Sequence, residues 1–414
     1  MFSQNLWDTQ DPMGIRLRKK KKIALVLSGG GIKAAAFHIG VCLALKEKGF
    51  AFAGGAKGQV RRNFPEDGPM TIRLYVGSSA GAFVSSILAA GYSLEALINA
   101  FDVGSGSNPR FQDKNSLGNL KPIRYRDIFS VNGRGIFGSI PSVLLAKSMM
   151  SGGVEALLKD KFKVSGLFTT KALEKYLRNY ALSHNEFRQL GVELFIIGTQ
   201  LNHTRKVIFG DFPETTKTST LKFVNYATIS QAVAASTSLP PVFAPYGVKA
   251  PNGKEMHFFD GEIRDTLSTH VAADHGADLV ISSYSVQPYH YTPEIGSLNQ
   301  FGIPVILNQA LYQVIEQKIN RHIQHMNDTR AIYNAIDAYF KEHKLGEEHR
   351  AQVLKIFRDR VNYKPNVDYI YINPKAQNHE MFFADHFNLN PFVLERIVRI
   401  GFRSGISALR AHDL

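Results

Sequence analysis

A strand forced to run straight into a helix through five residues is the feature that most restricts this chain. The stretch is Leu74-Tyr75-Val76-Gly77-Ser78-Ser79-Ala80-Gly81-Ala82. Its apolar start reads as a buried strand and Ala82 to Ala90 as a helix, so Gly77-Ser78-Ser79-Ala80-Gly81 must turn the chain sharply between them. A serine at such a corner has its hydroxyl pushed out of the backbone, above a helix N-terminus. Gly77 and Gly81 leave room for the strained turn and for a substrate carbonyl. The pentapeptide alone is common, and an ordinary Gly/Ser-rich turn is the alternative.

What surrounds it is an alternation of strands and helices. Ile23 to Leu27 is a short apolar run of the kind found in buried parallel strands. It delivers Ser28-Gly29-Gly30-Gly31-Ile32-Lys33, and Ala34 to Lys48 continues as a helix, so several backbone N–H groups are offered to an anion. Ala53 to Gly68 reads as a loop and Ile72 to Val76 as the second strand. Asp102 to Pro141 has no sustained apolar period and reads as an insertion. Ser142 to Leu158 reads as a helix on the core, with a mobile cover over a pocket as the alternative. Further on, Thr170 to Leu182 predicts an amphipathic helix, Val192 to Thr199 and Arg205 to Phe209 strands, and Ile229 to Ser236 a helix stopped by Pro240-Pro241. Met256 to Phe259 predicts a strand ending at Asp260-Gly261, followed by a helix from Thr266 to His275 and a buried strand from Ala277 to Val286.

Beyond Pro293 the pattern becomes helical and charged, over Val305 to Met326, Thr329 to His343 and Glu347 to Val361. Val367 to Ile372 returns to strand, and Asn390-Pro391 opens a last helix to about Arg410. The expectation is an α/β fold of three layers, a mainly parallel sheet with helices on both faces. Its parts are a basic N-terminal arm over 1–22, loose from Met1 to Arg18, a catalytic core over 23–290 and a mostly helical layer over 291–414 packed on that core.

Charge and cysteine narrow the partners. A formal charge of +14 favours phospholipid surfaces, nucleic acid or acidic substrates. Nucleic acid is disfavoured: there is no zinc-finger spacing and no ribonucleoprotein-type aromatic motif, and the single tryptophan is Trp7 in the arm. The single cysteine, Cys42, excludes an intrachain disulfide and zinc held by cysteine pairs. The densest charge, Arg16, Arg18 and Lys19 to Lys22, fits either strand-edge charge or a membrane-surface contact. Ile23 to Leu45 is interrupted by Lys33, His38 and three glycines, and Met1 to Met13 lacks an apolar core. Neither a spanning helix nor a signal peptide is expected, and a cytoplasmic or peripheral-membrane protein is.

Three distant stretches then make one hydrolytic kit. In a parallel sheet, loops at the C-terminal ends of strands converge on one edge, so the glycine loop, Ser79 and Asp260 can meet. Ser79 would attack an ester carbonyl, and Asp260 would take the hydroxyl proton and pass it to the leaving group. The N–H groups of Gly29, Gly30, Gly31 and Ile32 would hold the oxyanion, each such donor being worth about 10²–10³ in rate.

In these motifs the chain resembles the patatin-like phospholipases, whose signatures are Gly-Gly-Gly-x-Arg/Lys-Gly, Gly-x-Ser-x-Gly and Asp-Gly-Gly/Ala in that order. They stand here as Gly29-Gly30-Gly31-Ile32-Lys33-Ala34, Gly77-Ser78-Ser79-Ala80-Gly81 and Asp260-Gly261-Glu262. Ala235-Ser236 to Pro240 and Phe243 resemble the segment before the aspartate, and the likeness covers roughly Ile23 to Val286. It implies a Ser–Asp dyad without histidine, metal or cofactor, acting on acyl esters of lipids. Ser79 would be the nucleophile, Asp260 the base and Gly29 to Gly31 the oxyanion hole, with Lys33, Gly77, Gly81 and Gly261 as motif support. The chain departs from the pattern at Ala34, a small change in helix packing, and at Glu262, a charge that either faces solvent or reshapes the acyl pocket.

Rival readings are weaker or remain open. Gly29-x-Gly31-x-x-Ala34 fits a permissive dinucleotide fingerprint, but Phe50 to Gly58 lacks the acidic residue this requires, and no Gly-Lys-Ser/Thr makes a P-loop. His270 and His275 follow Asp260 in the chain order of a Ser-Asp-His esterase. A lipid-binding scaffold that has lost turnover is the other alternative, with Glu262 as its only sign. His38, near the glycine loop, reads as structural.

Overall fold

β1 (Ile23–Leu27) is buried along its whole length between two parallel neighbours, β3 (Thr71–Ser78) and β11 (Leu279–Ser283). The computed structural model describes residues 14–66, 68–101, 118–132, 165–264 and 266–412, leaving aside the Pro304 side chain. The arm to Met13, most of the expected insertion and the expected Ser142 to Leu158 helix lie outside the described residues. β12 (Asp368–Ile372) adds in parallel beyond β11, and β2 (Ala51–Phe52) and β6 (Glu193–Gln200) add in parallel to β3. Beyond β6 the direction reverses. β10 (Glu255–Asp260) is antiparallel to β6, β9 (Tyr246–Lys249) to β10, and β7 (Lys206–Phe209) to β6, with β8 (Leu221–Val224) along β7. The ten-stranded sheet has the order β12-β11-β1-β3-β6-β10-β9 along its main path. β4 (Ser130–Val131) and β5 (Phe168–Thr169) form a separate small ladder.

Side chains alternate across the strands, and each face meets its own helices. Ile23, Leu25 and Leu27 point into the larger core, towards α1 (Gly31–Glu47), α3 (Ala80–Ala89) and α12 (Pro391–Leu409). Ala24, Val26, Leu74 and Val76 point the other way, against α8 (Thr269–Asp274). The fold is thus a three-layer, mainly parallel α/β sheet. α1 is enclosed on nearly every side because α12 lies along it. A Cβ on Gly40 would run into the Val398 carbonyl, and one on Gly401 into the Phe37 carbonyl, so these glycines let the two backbones touch.

The remaining α-helices among the described residues are α2 (Lys57–Asn63), α4 (Leu94–Ala100), α5 (Tyr125–Ile128), α6 (Lys171–Tyr176), α7 (Ile229–Ser236), α9 (Ile303–Glu342), α10 (Glu347–Val361) and α11 (Glu380–Phe383). α2 occupies the stretch expected to be loop. α4, β8 and β9 have no counterpart in the sequence reading, being too short to show a period. The helices expected at Val305 to Met326 and Thr329 to His343 are one 40-residue helix, α9. Asn327 and Asp328 face solvent there and break the apolar pattern without breaking the backbone.

The expectation of a loose arm fails from Gly14 onward. Leu17 is wholly buried, and the Ile15 N–H donates to His412 Nδ1 at 3.3 Å. Two of the six cations of the basic run, Lys20 and Lys22, are also engaged, while Arg16, Arg18, Lys19 and Lys21 are exposed. Lys20 pairs with Asp368 at 2.6 Å and Lys22 pairs with Glu193, while the Lys21 and Lys22 N–H groups donate to the Asp278 carboxylate at 2.8 and 2.9 Å. These bonds stitch the strands' starting edge, one strand length from the glycine loop. Strand-edge charge is therefore the reading that Lys20 and Lys22 support.

Candidate active site

Ser79 closes β3 and caps α3 with φ 50° and ψ −117°. A side chain at positive φ costs on the order of 1–3 kcal/mol and persists only where its surroundings enforce it. The enforcement is visible. The Ser79 N–H donates to Ser236 Oγ at 2.8 Å, and that hydroxyl donates to the Ile197 carbonyl at 2.5 Å. Ser236, at the end of α7, thus pins the corner to β6. The two motif glycines are required by close approach: a Cβ on Gly77 would lie 2.5 Å from Ala82 Cα, and one on Gly81 would strike the Leu27 carbonyl.

Asp260 reaches the serine by a different route from the expected parallel strand end. Its strand is antiparallel to β6, so it does not arrive on a parallel C-terminal end. Register delivers it instead. Ser78 pairs with Ile197, and the next residue of β6, Gly198, pairs with Asp260. The Ser79 side chain acts on the Asp260 carboxylate as a donor that holds its pKa down, and Asp260 Oδ1 accepts the Glu262 N–H at 2.9 Å. Complete burial pushes the carboxyl up to about 6, against the opposing pull of the Ser79 and Glu262 donors. Gly261 has no space for a side chain, because a Cβ would sit 2.5 Å from the Ile197 carbonyl.

The glycine loop lies beside this pair, but its donors are not equivalent. Gly29 N–H donates to Glu262 Oε1 at 2.6 Å and Ile32 N–H to the His386 carbonyl at 2.6 Å. Gly30 and Gly31, at φ 129° and 74°, have N–H groups with no acceptor among the described residues. Of the four expected oxyanion donors, two are therefore committed and two are open. Glu262 points inward: a Cβ on Gly29 would meet Glu262 Cγ and, at 2.8 Å, Ser79 Cβ.

An apolar pocket of about 720 Å³, its open mouth included, adjoins Ser79. Ile32, Phe83, Leu173, Leu239, Phe243 and Phe387 form much of its wall. His386 and Phe387 come from the last third of the chain, which the sequence reading had treated only as a covering layer. Lys33 explains their position. Its buried ammonium donates to the Met381 carbonyl at 2.9 Å and the Ala384 carbonyl at 3.1 Å, and lies 5.2 Å from the Tyr312 ring centre. Burial drops its pKa to about 7, with Asp385 opposing. Tyr312 Oη and His386 Nε2 lie 2.8 Å apart, and burial, with the Lys33 charge second, takes the imidazole down to about 4. Lys33→Ala is expected to cost about 2–4 kcal/mol in urea unfolding, because two carbonyls and an aromatic face lose their partner. A variant within about 0.5 kcal/mol of the parent would refute this anchoring.

The histidines considered as triad members lie elsewhere. His275 Nδ1 is 2.7 Å from the Val271 carbonyl, its ring is 4.1 Å from Phe195, and it sits near the strands' starting edge. His270 Nε2 is 2.9 Å from Lys206 Nζ. No histidine is bonded to Ser79 or Asp260 among the described residues. His38 bridges Ser283 Oγ at 2.8 Å and the Ser28 carbonyl at 2.9 Å, tying together the ends of β1 and β11. No described helix is long and apolar enough to cross a membrane.

Fold and motif order define the class as an α/β lipid hydrolase fold with a strand-to-helix serine corner. The family model for patatin-like phospholipases matches residues 25–273, well over half of the chain, and the chain belongs to that family. It is a family of lipid hydrolases. A search of curated proteins found no match. Among solved structures, the chain is similar to the full-length ExoU–SpcU complex from the type III secretion system of Pseudomonas aeruginosa. Identity is 13%, with 93% of this chain and 77% of that chain covered and a TM-score of 0.22. A likeness of that strength says nothing further about this chain.

Proposed function

We propose that the chain is a phospholipase A or lysophospholipase type acyl hydrolase, cleaving carboxylic esters of membrane lipids through a Ser79 acyl-enzyme. The observation that carries this is the placing, by strand register, of a fully buried Asp260 carboxylate level with the strained Ser79 corner, beside an apolar pocket. Asp260 draws the proton as Ser79 Oγ bonds to the ester carbon, and returns it to the leaving alcohol. Water then bonds to the acyl carbon, giving its proton to Asp260, and that proton passes to Ser79 Oγ as the acyl–Oγ bond breaks and the fatty acid leaves. Gly30 and Gly31 N–H groups receive the oxyanion in both steps, and the Phe-rich pocket takes the acyl chain. The influence of Ser79 on the Asp260 carboxyl, with no histidine bonded to either among the described residues, favours a dyad over the Ser-Asp-His alternative. Mass-spectrometric product analysis on a mixed lipid panel, with Ser79→Ala alongside, tests the reading. Fatty acid release that survives in Ser79→Ala would refute it.

Glu262 holds both halves of this site, its N–H on Asp260 and its carboxylate on Gly29. Glu262→Ala is expected to lower kcat about ten- to a hundredfold with little change in KM, since one loop anchor is lost. Glu262→Gln keeps an acceptor for Gly29 and should stay within a few-fold of the parent. A Gln variant as slow as the Ala variant would exclude this anchoring role.

A further inference from the structure

A lipid hydrolase must meet its substrate at a surface, and the basic run lies at the edge of the sheet opposite the site. α9 offers another surface. Tyr312, on its buried side, touches the His386 segment that walls the pocket, whereas Arg330 donates to the Val367 carbonyl at 3.1 Å, where β12 begins. At 1.5 Å per residue these two points are about 27 Å apart, so the helix runs from the site edge of the sheet to the opposite edge.

Its inner face, with Tyr312, Ile319 and Ile323, is buried along this run. The outer face changes character. Ile303, Ile306, Leu307, Leu311 and Val314 follow one another at helical spacing and are 45–72% exposed, all at the site end. Lys318 and Arg321 come next on the same face, both exposed. Lys318 Nζ donates to the carbonyl of Ile263 at 3.2 Å, and Ile263 is itself 43% exposed, directly after Glu262. An apolar stripe with a cationic margin therefore continues to the residues beside Asp260. Scattered exposed apolar side chains are ordinary, but five on one face of three helical turns are not.

We infer that the outer face of α9 from Ile303 to Val314, with Lys318 and Arg321 behind it, is the surface on which this protein docks onto an anionic lipid bilayer. Amphipathic helices that lie in the membrane interface have this composition, apolar side chains in the acyl boundary and cations at the head groups. The excess of +14 charges attracts anionic lipid and opposes a second copy of the chain on the same face. The inference rests on the lipid-hydrolase reading for its choice of occupant.

The test separates the two. Full-length Ser79→Ala protein, which leaves vesicles intact, is pelleted with phosphatidylcholine vesicles with and without phosphatidylserine. Adding Leu307→Glu and Leu311→Glu is expected to weaken binding to both vesicle types more than about tenfold. In the Ser79 protein the same pair should leave hydrolysis of a soluble short-chain ester within about twofold, as neither side chain lines the pocket. Lys318→Glu with Arg321→Glu should weaken only binding to phosphatidylserine vesicles. Unchanged pelleting of the leucine variant overturns the proposal. So does a parental dimer in sedimentation equilibrium that the leucine variant dissociates, which would give the face to a second copy. Absence of ester hydrolysis in the parent would instead count against the hydrolase reading and leave the vesicle result standing.

Discussion

Ser79→Ala is expected to abolish fatty acid release, with kcat/KM falling about 10⁴–10⁶-fold, while the melting temperature at pH 7 falls by no more than about 4 °C. The fold should survive because the substitution removes only Oγ. The Cβ at φ 50°, the N–H bond to Ser236 and the close packing of Gly77 and Gly81 are all retained. Asp260 should respond in a diagnostic way. The Ser79 hydroxyl is one of two donors holding its carboxyl down, so the variant's Asp260 should titrate above about 6, the parental value. Stopped-assay product analysis and carboxyl titration by NMR would check the two halves. Residual turnover within about a hundredfold of the parent would mean that Ser79 is not the nucleophile.

Asp260→Asn should lose activity about 10²–10⁴-fold and, at neutral pH, make the protein more stable. The base works only when ionised, so kcat/KM of the parent should fall as pH drops through about 6, the value to which burial pushes this carboxyl. For stability, the folded carboxyl binds its proton more tightly than the unfolded one. The stabilisation linked to that proton is complete below the unfolded value near 4 and is lost as pH rises to about 6. At pH 7 the ionised, buried aspartate therefore costs on the order of 3 kcal/mol, a cost that asparagine does not carry. Urea unfolding of both proteins across pH 4–8 should show a gap that opens over this window and closes at its acid end. A pH–rate profile flat down to pH 4, or a variant no more stable at pH 7, would contradict the role given to burial.

The parts of the site that were legible in the sequence are those held within single stretches. The serine corner, the glycine loop and Asp260-Gly261 are each a few consecutive residues, so glycine spacing and apolar runs report them directly. Ser236 was visible only as part of a motif-like segment, because its work is a bond to a residue 157 positions away. His386 and Phe387 carried no signal at all. They belong to a short irregular segment whose place is set by Lys33, a residue of the glycine motif, some 350 positions earlier.

By itself, the sequence determined the strand–helix alternation, the three motifs and the candidate nucleophile and base, since local burial and local turn chemistry are written in spacing along the chain. Only the tertiary structure decided that β10 runs antiparallel and still sets Asp260 level with Ser79. It alone spends Gly29 and Ile32 within the fold and leaves Gly30 and Gly31 open. It also turns Glu262 inward, pairs Lys20 and Lys22 at the far edge and bares one apolar face of α9. Each of these depends on strand register or side-chain packing between segments far apart in the chain, and such contacts leave no period in the sequence.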